Sequence, residues 1–263
     1  MDQAVTFQQK EGLVILTLNR PDEFNTFGSE IVELLVKYLT EVSTDPQVTG
    51  VIITGAGKAF CAGGNLRWLS GYGKSYSHAF HTLAALFHQA MLEIRRMPKP
   101  VVAAINGLAA GGGFSLALAC DFRVMEKTAI LKQAYTSNGL SIDGGGTFTL
   151  PRLVGAARAL EIAVFDKPIS AEQALAWGLA TEVAEPGRAL ERAEAMIQTI
   201  EKMPLTSFIA SKKLILDSFN TSIESQLERE RELLAWCAES ANGREGIQAF
   251  LEKRKPVFNK KDQ

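Results

Sequence analysis

Val101-Val102-Ala103-Ala104-Ile105-Asn106-Gly107-Leu108-Ala109-Ala110-Gly111-Gly112-Gly113-Phe114-Ser115-Leu116-Ala117-Leu118-Ala119-Cys120-Asp121 passes from an apolar run through a glycine triplet into a segment of small residues. The opening run is too continuous in its apolarity for a strand with one wet face, so it predicts a short strand buried on both sides. The triplet then opens a small-residue helix. Glycine lets a backbone approach a ligand closely, and the first N–H groups of a helix have no partner within it. Such a turn can receive negative charge.

The same sequence of events occurs upstream. Val51-Ile52-Ile53-Thr54 reads as a strand leading into Gly55-Ala56-Gly57, and a second glycine-rich turn follows in Lys58-Ala59-Phe60-Cys61-Ala62-Gly63-Gly64-Asn65-Leu66. Val14–Leu18 and Phe122–Met125 are further strand candidates, the first ended by Asn19-Arg20-Pro21-Asp22. Between them, a helical pattern capped by Ser29 places Ile31, Leu34, Leu35, Tyr38 and Leu39 at helical spacing and closes at Asp45-Pro46. A long helix is predicted at 77–96, before the Pro98-Lys99-Pro100 break. Strands alternating with helices indicate an α/β class with parallel pairing. From about Ala156 the pattern becomes helix only, over 156–165, 171–177, 187–203, 205–217 and 221–238. The expected organisation is an α/β core over 1–200 and a helical region over 201–263, with no repeats.

Bulk properties narrow the field. The chain has 263 residues, 46% hydrophobic and 22% charged, as in an ordinary globular protein with one substantial core. Lys and Arg number 28 against 29 Asp and Glu, so the net charge of −1 provides no broad footprint for nucleic acid or an anionic membrane. Met1-Asp2-Gln3-Ala4 carries neither a basic region nor an apolar one, so no secretory leader is expected. No apolar run approaches the ~18 residues of a membrane span. Cys61, Cys120 and Cys237 are widely spaced and odd in number, which fits reduced thiols and a cytoplasmic setting.

Neither glycine turn is a nucleotide cradle by its motif. G-x-x-x-x-G-K-[ST] is missing, and after Gly55-Ala56-Gly57 the third glycine of G-x-G-x-x-G is replaced by Phe60. Together, however, the turns resemble another pattern. Ala59-Phe60-Cys61-Ala62-Gly63-Gly64-Asn65-Leu66 is similar to the A-F-C-A-G-[AG]-D-L of the crotonase (enoyl-CoA hydratase/isomerase) family, and Asn106-Gly107 to Asp121 is similar to its N-G-x-A-x-G-G-G-x-E-L-A-L-A-C-D. The resemblance continues through Asp143-Gly144-Gly145-Gly146-Thr147, Pro151–Gly155, Ala174–Leu179 and Glu245–Arg254, covering about residues 5–260 in the family's order. It implies a ββα spiral core and a helical C-terminal region that forms trimers, or hexamers of stacked trimers. It also implies an acyl-CoA thioester as substrate, with no cofactor beyond that CoA. By the same resemblance the backbone N–H groups of Gly64 and Gly112 hold the thioester oxygen as an enolate forms.

The resemblance also separates reactions. Family hydratases use two glutamates, and the matching positions here are Ser115 and, aligning on Gly139, Tyr135. Neither side chain readily replaces a carboxylate as a base near neutral pH. Asp143, in Gly139-Leu140-Ser141-Ile142-Asp143-Gly144-Gly145-Gly146-Thr147, is similar to the catalytic Asp of the ring-1,2-epoxyphenylacetyl-CoA isomerase branch and related double-bond isomerases. On the residues alone, Asp143 equally suits a turn residue capping the next helix. The expectation is an enoyl-CoA isomerase with one Asp base. Enoyl-CoA hydratase is the alternative, and a non-catalytic acyl-CoA binder is the alternative of another class.

Lesser features complete the reading. Gly113-Phe114-Ser115-Leu116-Ala117 approaches the G-x-S-x-G elbow of serine hydrolases, but all three histidines (His78, His81, His88) precede it on one helical segment. His78 and His81 lack a third ligand of suitable spacing, so no metal is expected. The resemblance places Ala62 in the first loop of the acyl-CoA site, Arg67 at a CoA-phosphate position, and Phe250 with Lys253 at the pair that reaches CoA on a neighbouring subunit. Arg67 and Lys253 also fit solvated surface charges, and Trp68 fits either a pocket wall or packing.

Overall fold

The strands pair as two sheets because each long apolar run is followed, a few residues on, by a second short one. In chain order the strands are β1 (Val5–Lys10), β2 (Leu13–Leu18), β3 (Gly50–Gly55), β4 (Ala59–Cys61), β5 (Val101–Ile105), β6 (Leu108–Ala110), β7 (Phe122–Glu126), β8 (Ile130–Lys132), β9 (Ile169–Ser170) and β10 (Glu182–Ala184). The computed structural model describes residues 3–73 and 75–259; Met1 and Asp2 of the N-terminal stretch, and Lys74, lie outside the described residues. The larger sheet has the order β1-β2-β3-β5-β7-β10, with β1–β2 antiparallel and the remaining pairs parallel. The smaller has the order β4-β6-β8-β9, parallel except for β8–β9.

Each pair of strands is followed by a helix. Strands β3 and β4 lead to α2 (Leu66–Ser70) and α3 (Tyr76–Arg96), β5 and β6 to α4 (Gly112–Ala119), and β7 and β8 to α5 (Gly146–Phe165). These are three turns of a ββα spiral, one strand of each turn entering each sheet. Helix α1 (Ser29–Thr44) precedes them; α6 (Ala171–Ala176), α7 (Ala189–Glu201), α8 (Leu205–Asp217), α9 (Ile223–Glu239) and α10 (Ala241–Leu251) follow. Strands β3 and β5 are buried at every residue, as central parallel strands covered on both faces should be. Leu16, Leu35, Leu39 and Ile94 lie in one core with Ile53 and Ile105 of these strands. Among the described residues no helix is long and apolar enough to cross a membrane.

The chain divides into two compact units, Met1–Glu194 and Ala195–Gln263. Several sequence expectations need correction. The region after Ala156 is not helix only, because β9 and β10 are strands of two and three residues, too short to leave a periodic signal. Helix α5 begins at Gly146 and runs through Pro151, with a kink where Gly155 adopts φ 76° and ψ 160°. Ser29 is the first helical residue rather than the cap, which is Gly28. Strand β1 was not anticipated, since it mixes polar residues at an edge where one face is wet, whereas α10 falls inside the 201–263 region expected to be helical.

A buried side chain ties this frame to the glycine turns. Asn25, fully buried and in the left-handed region at φ 56°, accepts from the Arg20 N–H through Oδ1 (2.8 Å). Its Nδ2 donates to the carbonyls of Ala56 (2.9 Å) and Ala59 (2.8 Å). Asn25→Ala strands these groups and places alanine in a conformation that asparagine tolerates better, so it should cost about 2–4 kcal/mol of stability. The check is a lower urea unfolding midpoint with an unchanged slope.

Candidate active site

The first two elements of the site are backbone groups. Phe27 and Gly64 form an isolated parallel bridge, in which the Phe27 N–H donates to Gly63 O (2.7 Å) and the Asn65 N–H donates to Phe27 O (2.9 Å). That pairing uses the neighbours of Gly64 and leaves its own N–H on the opposite side. Gly112 is the first residue of α4, after Gly111 at φ 53° and ψ −123°, and the Ser115 N–H takes the Gly111 carbonyl (3.1 Å). The Gly112 N–H is therefore one of the unpaired donors at a helix start. Among the described residues neither N–H has a hydrogen-bond acceptor. Both glycines border one cavity of about 360 Å³, whose walls include Phe27, Leu83, Phe87 and Ile142.

Asp143 and Tyr135 border the same cavity. The Asp143 main chain is held by the Ser115 hydroxyl, which donates to the Asp143 carbonyl (2.7 Å). The next residue must be glycine. Gly144 sits at φ 63°, where a Cβ would stand 2.4 Å from Phe87 Cε1 and 3.0 Å from Ser115 Cβ. Ser115 is thus buried beneath the 143–146 turn, which fills the space a longer side chain at 115 would need. Its hydroxyl donates to a backbone carbonyl, and among the described residues it has no hydrogen bond to a histidine that could activate it as a nucleophile. The Asp143 carboxylate does not cap α5, which starts without any side-chain cap. Instead Asp143 Oδ1 lies 2.6 Å from His88 Nε2 on α3.

His88 was missed by sequence reasoning. The available signal was helical: His81 and His88 are seven residues apart, on one face of α3, and His81 lines the cavity. A contact spanning 55 residues leaves no local trace, however. His78 stands against the Tyr72 ring, 5.8 Å between centroids.

The surrounding electrostatics keep other groups protonated. Burial, then the nearby Asp143 charge, pushes the Tyr135 phenol well above its ordinary range. Burial pushes the Cys61 thiol up to about 12. Behind Tyr135, Asp166 accepts from the N–H groups of Ala134 (2.6 Å) and Ser137 (3.2 Å). Burial opposes the charge of Asp166, yet these bonds and the Ser137 hydroxyl hold its carboxyl below the ordinary value, so an ionised side chain anchors the turn carrying Tyr135.

The remaining sequence candidates divide by position. Ala62 lines the cavity while its N–H donates to Phe24 O (3.0 Å). Arg67 is exposed on α2. Trp68 packs over Gly28 and against Tyr72 (5.0 Å between ring centroids), outside the cavity wall. Phe250, 82% exposed, and Lys253 lie at the end of α10 and just beyond it, in the second unit. Two unpaired N–H donors and a carboxylate on one apolar cavity can stabilise a developing oxyanion while a proton is moved.

Comparison with known proteins agrees with this arrangement. The family model described as enoyl-CoA hydratase/isomerase matches residues 8–261. The 1,2-epoxyphenylacetyl-CoA isomerase of Escherichia coli K12 is 34% identical over 254 residues, covering 96% of this chain and 97% of the relative. A probable enoyl-CoA hydratase of Rhodobacter capsulatus is 35% identical, covering 97% of each. Among solved structures, an enoyl-CoA hydratase from Polaromonas sp. JS666 superposes with a TM-score of 0.92 at 36% identity, covering 97% of this chain and 99% of that one. With its two-sheet ββα spiral and its paired glycine N–H groups, the chain belongs to the crotonase superfamily, in the enoyl-CoA hydratase/isomerase family.

Proposed function

We propose that the protein is an enoyl-CoA isomerase that moves a double bond by a 1,3-proton shift, with Asp143 as its base. The observation that carries this reading is that Asp143 lines the same cavity as Gly64 and Gly112, whose N–H groups have no acceptor among the described residues. Meanwhile Ser115 and Tyr135 occupy the positions where the resemblance expects hydratase glutamates. The N–H pair would take the thioester oxygen as the enolate forms, and Asp143 would remove a proton from one carbon and return one to another. The C–H electron pair stays on the substrate throughout, so CoA enters with the substrate and no cofactor is called for. Ala62 and Tyr135 complete the wall around the reacting atoms.

The remaining assignments follow from surface character. Arg67 is an exposed cation for the CoA phosphates. The helical second unit exposes Ile215, Phe219, Ile223, Leu227, Leu234 and Trp236, which suits burial against further copies in a homotrimer or hexamer. In that assembly Phe250 and Lys253 would meet the CoA of a neighbouring subunit. Three cysteines outside any disulfide fit a cytoplasmic enzyme.

Asp143→Asn should reduce conversion of a 3-enoyl-CoA to the conjugated 2-enoyl-CoA by about 10²–10⁴-fold while acyl-CoA binding persists. Unchanged turnover would remove Asp143 from the reaction, and a 3-hydroxyacyl-CoA as the main product would favour hydration. Gly144→Ala should also lower kcat, by about 10–100-fold, because relieving the contact with Phe87 and Ser115 must shift the adjacent carboxylate. Steady-state kinetics beside circular dichroism of the folded variant would measure it.

A further inference from the structure

A proton shift by one base makes no use of the 2.6 Å contact between His88 and Asp143. One carboxylate suffices to carry a proton between two carbons. A base sealed from solvent would return the proton it removed. Asp143 is not alone. Its side chain is 37% exposed and that of His88 51%, so the pair runs from the cavity wall out to water.

His81 lines the same cavity, but the imidazole in hydrogen-bond contact with the carboxylate is that of His88, and three other neighbouring groups are unsuited to passing a proton on. The Tyr135 phenol is held protonated, first by burial and then by the Asp143 charge. The Ser115 hydroxyl is committed to the Asp143 carbonyl. The Cys61 thiol is locked by burial. An imidazole differs in kind, because one ring nitrogen can take a proton as the other releases one.

We propose that His88 is the proton-exchange partner of Asp143, linking the base to solvent so that the proton delivered to the product comes from water. The proposal rests on the reading of Asp143 as the base. At rest the Nε2–H donates to the ionised carboxylate. The substrate's C–H bond then breaks, its electron pair remaining as the enolate and its proton going to Asp143. Through water at its exposed ring, His88 loses its Nε2 proton and gains one at Nδ1. The Asp143 proton then crosses to Nε2, and the Nδ1 proton leaves to water. Reversal of these transfers returns a solvent proton to Asp143, which delivers it to the second carbon. No proton or electron is gained or lost overall. His88 acts through Asp143 and does not itself touch the substrate.

The competing role is purely orienting, with His88 holding one carboxylate oxygen so that the other faces the cavity. Glutamine separates the two, since its amide N–H can donate to Asp143 but cannot relay a proton. The experiment follows a 3-enoyl-CoA in D2O, measuring both turnover and deuterium at the newly protonated carbon, for wild type, His88→Gln, His88→Ala and Asp143→Asn. Wild type should place solvent deuterium in most of the product. His88→Gln should keep turnover within about 10-fold while deuterium incorporation falls at least several-fold, with the substrate's own proton retained instead. In His88→Ala, added imidazole should restore incorporation. Wild-type product free of solvent deuterium, or equal incorporation by wild type and His88→Gln, overturns the proposal. If His88→Gln is inactive, the imidazole rescue decides: restored incorporation supports the relay and its absence overturns it. Loss of activity in Asp143→Asn with undiminished exchange in His88→Gln would leave the base standing and remove only His88. Full activity in Asp143→Asn would remove the base itself.

Discussion

Two backbones approach each other here more closely than any side chain permits, and the arrangement of the site depends on it. A Cβ on Gly113 would lie 2.1 Å from the Cys61 carbonyl oxygen, and one on Gly63 would lie 3.0 Å from the Ala110 carbonyl oxygen and 3.1 Å from the Gly112 nitrogen. Successive turns of the spiral can therefore pack main chain against main chain. The turn after β4 and the start of α4 border one cavity, each supplying an N–H that its own backbone pairing leaves without an acceptor among the described residues. Asn106 reinforces the approach, accepting from the Gly55 N–H (3.2 Å) and donating to Gly57 O (3.0 Å). A donor pair made this way depends on no rotamer, and it is in place before any substrate arrives.

That origin explains which parts were legible in the sequence. The continuous apolar runs 51–54 and 101–105 marked the central strands, since strands covered on both faces have no polar alternation to obscure them. The glycine turns were legible because close approach leaves a compositional trace. The small sheet was not, since strands of two or three residues such as Ile169–Ser170 are made by pairing rather than by propensity. The same holds for β1, an edge strand whose VTFQQK sequence resembles a polar loop as much as a strand.

For the site the division is similar. Asp143 could be selected from its glycine-rich surroundings, but its partner could not. His88 comes from a helix completed about 50 residues earlier, and only the tertiary fold brings Nε2 within reach. Ser115 was legible as an absent carboxylate. Its positive role, donating to the Asp143 carbonyl beneath the turn, became apparent only once the turn was seen folded over it. Asn25 and Asp166 likewise act through long-range bonds to main chain, and no motif announces them.

Cys61 gives this arrangement a chemical safeguard. A thioester carbonyl polarised by two N–H donors is a strong electrophile, and a nearby thiolate would exchange with it, releasing CoA and leaving an acylated protein. Cys61 is three residues from Gly64, and its sulfur accepts from the Gly63 N–H at 3.4 Å. Burial pushes this thiol up to about 12. At neutral pH this buried sulfur therefore stays a thiol, and it does not line the cavity. The dense packing that lets the two glycine turns meet thus also keeps this sulfur a buried thiol, away from whatever electrophile the cavity receives.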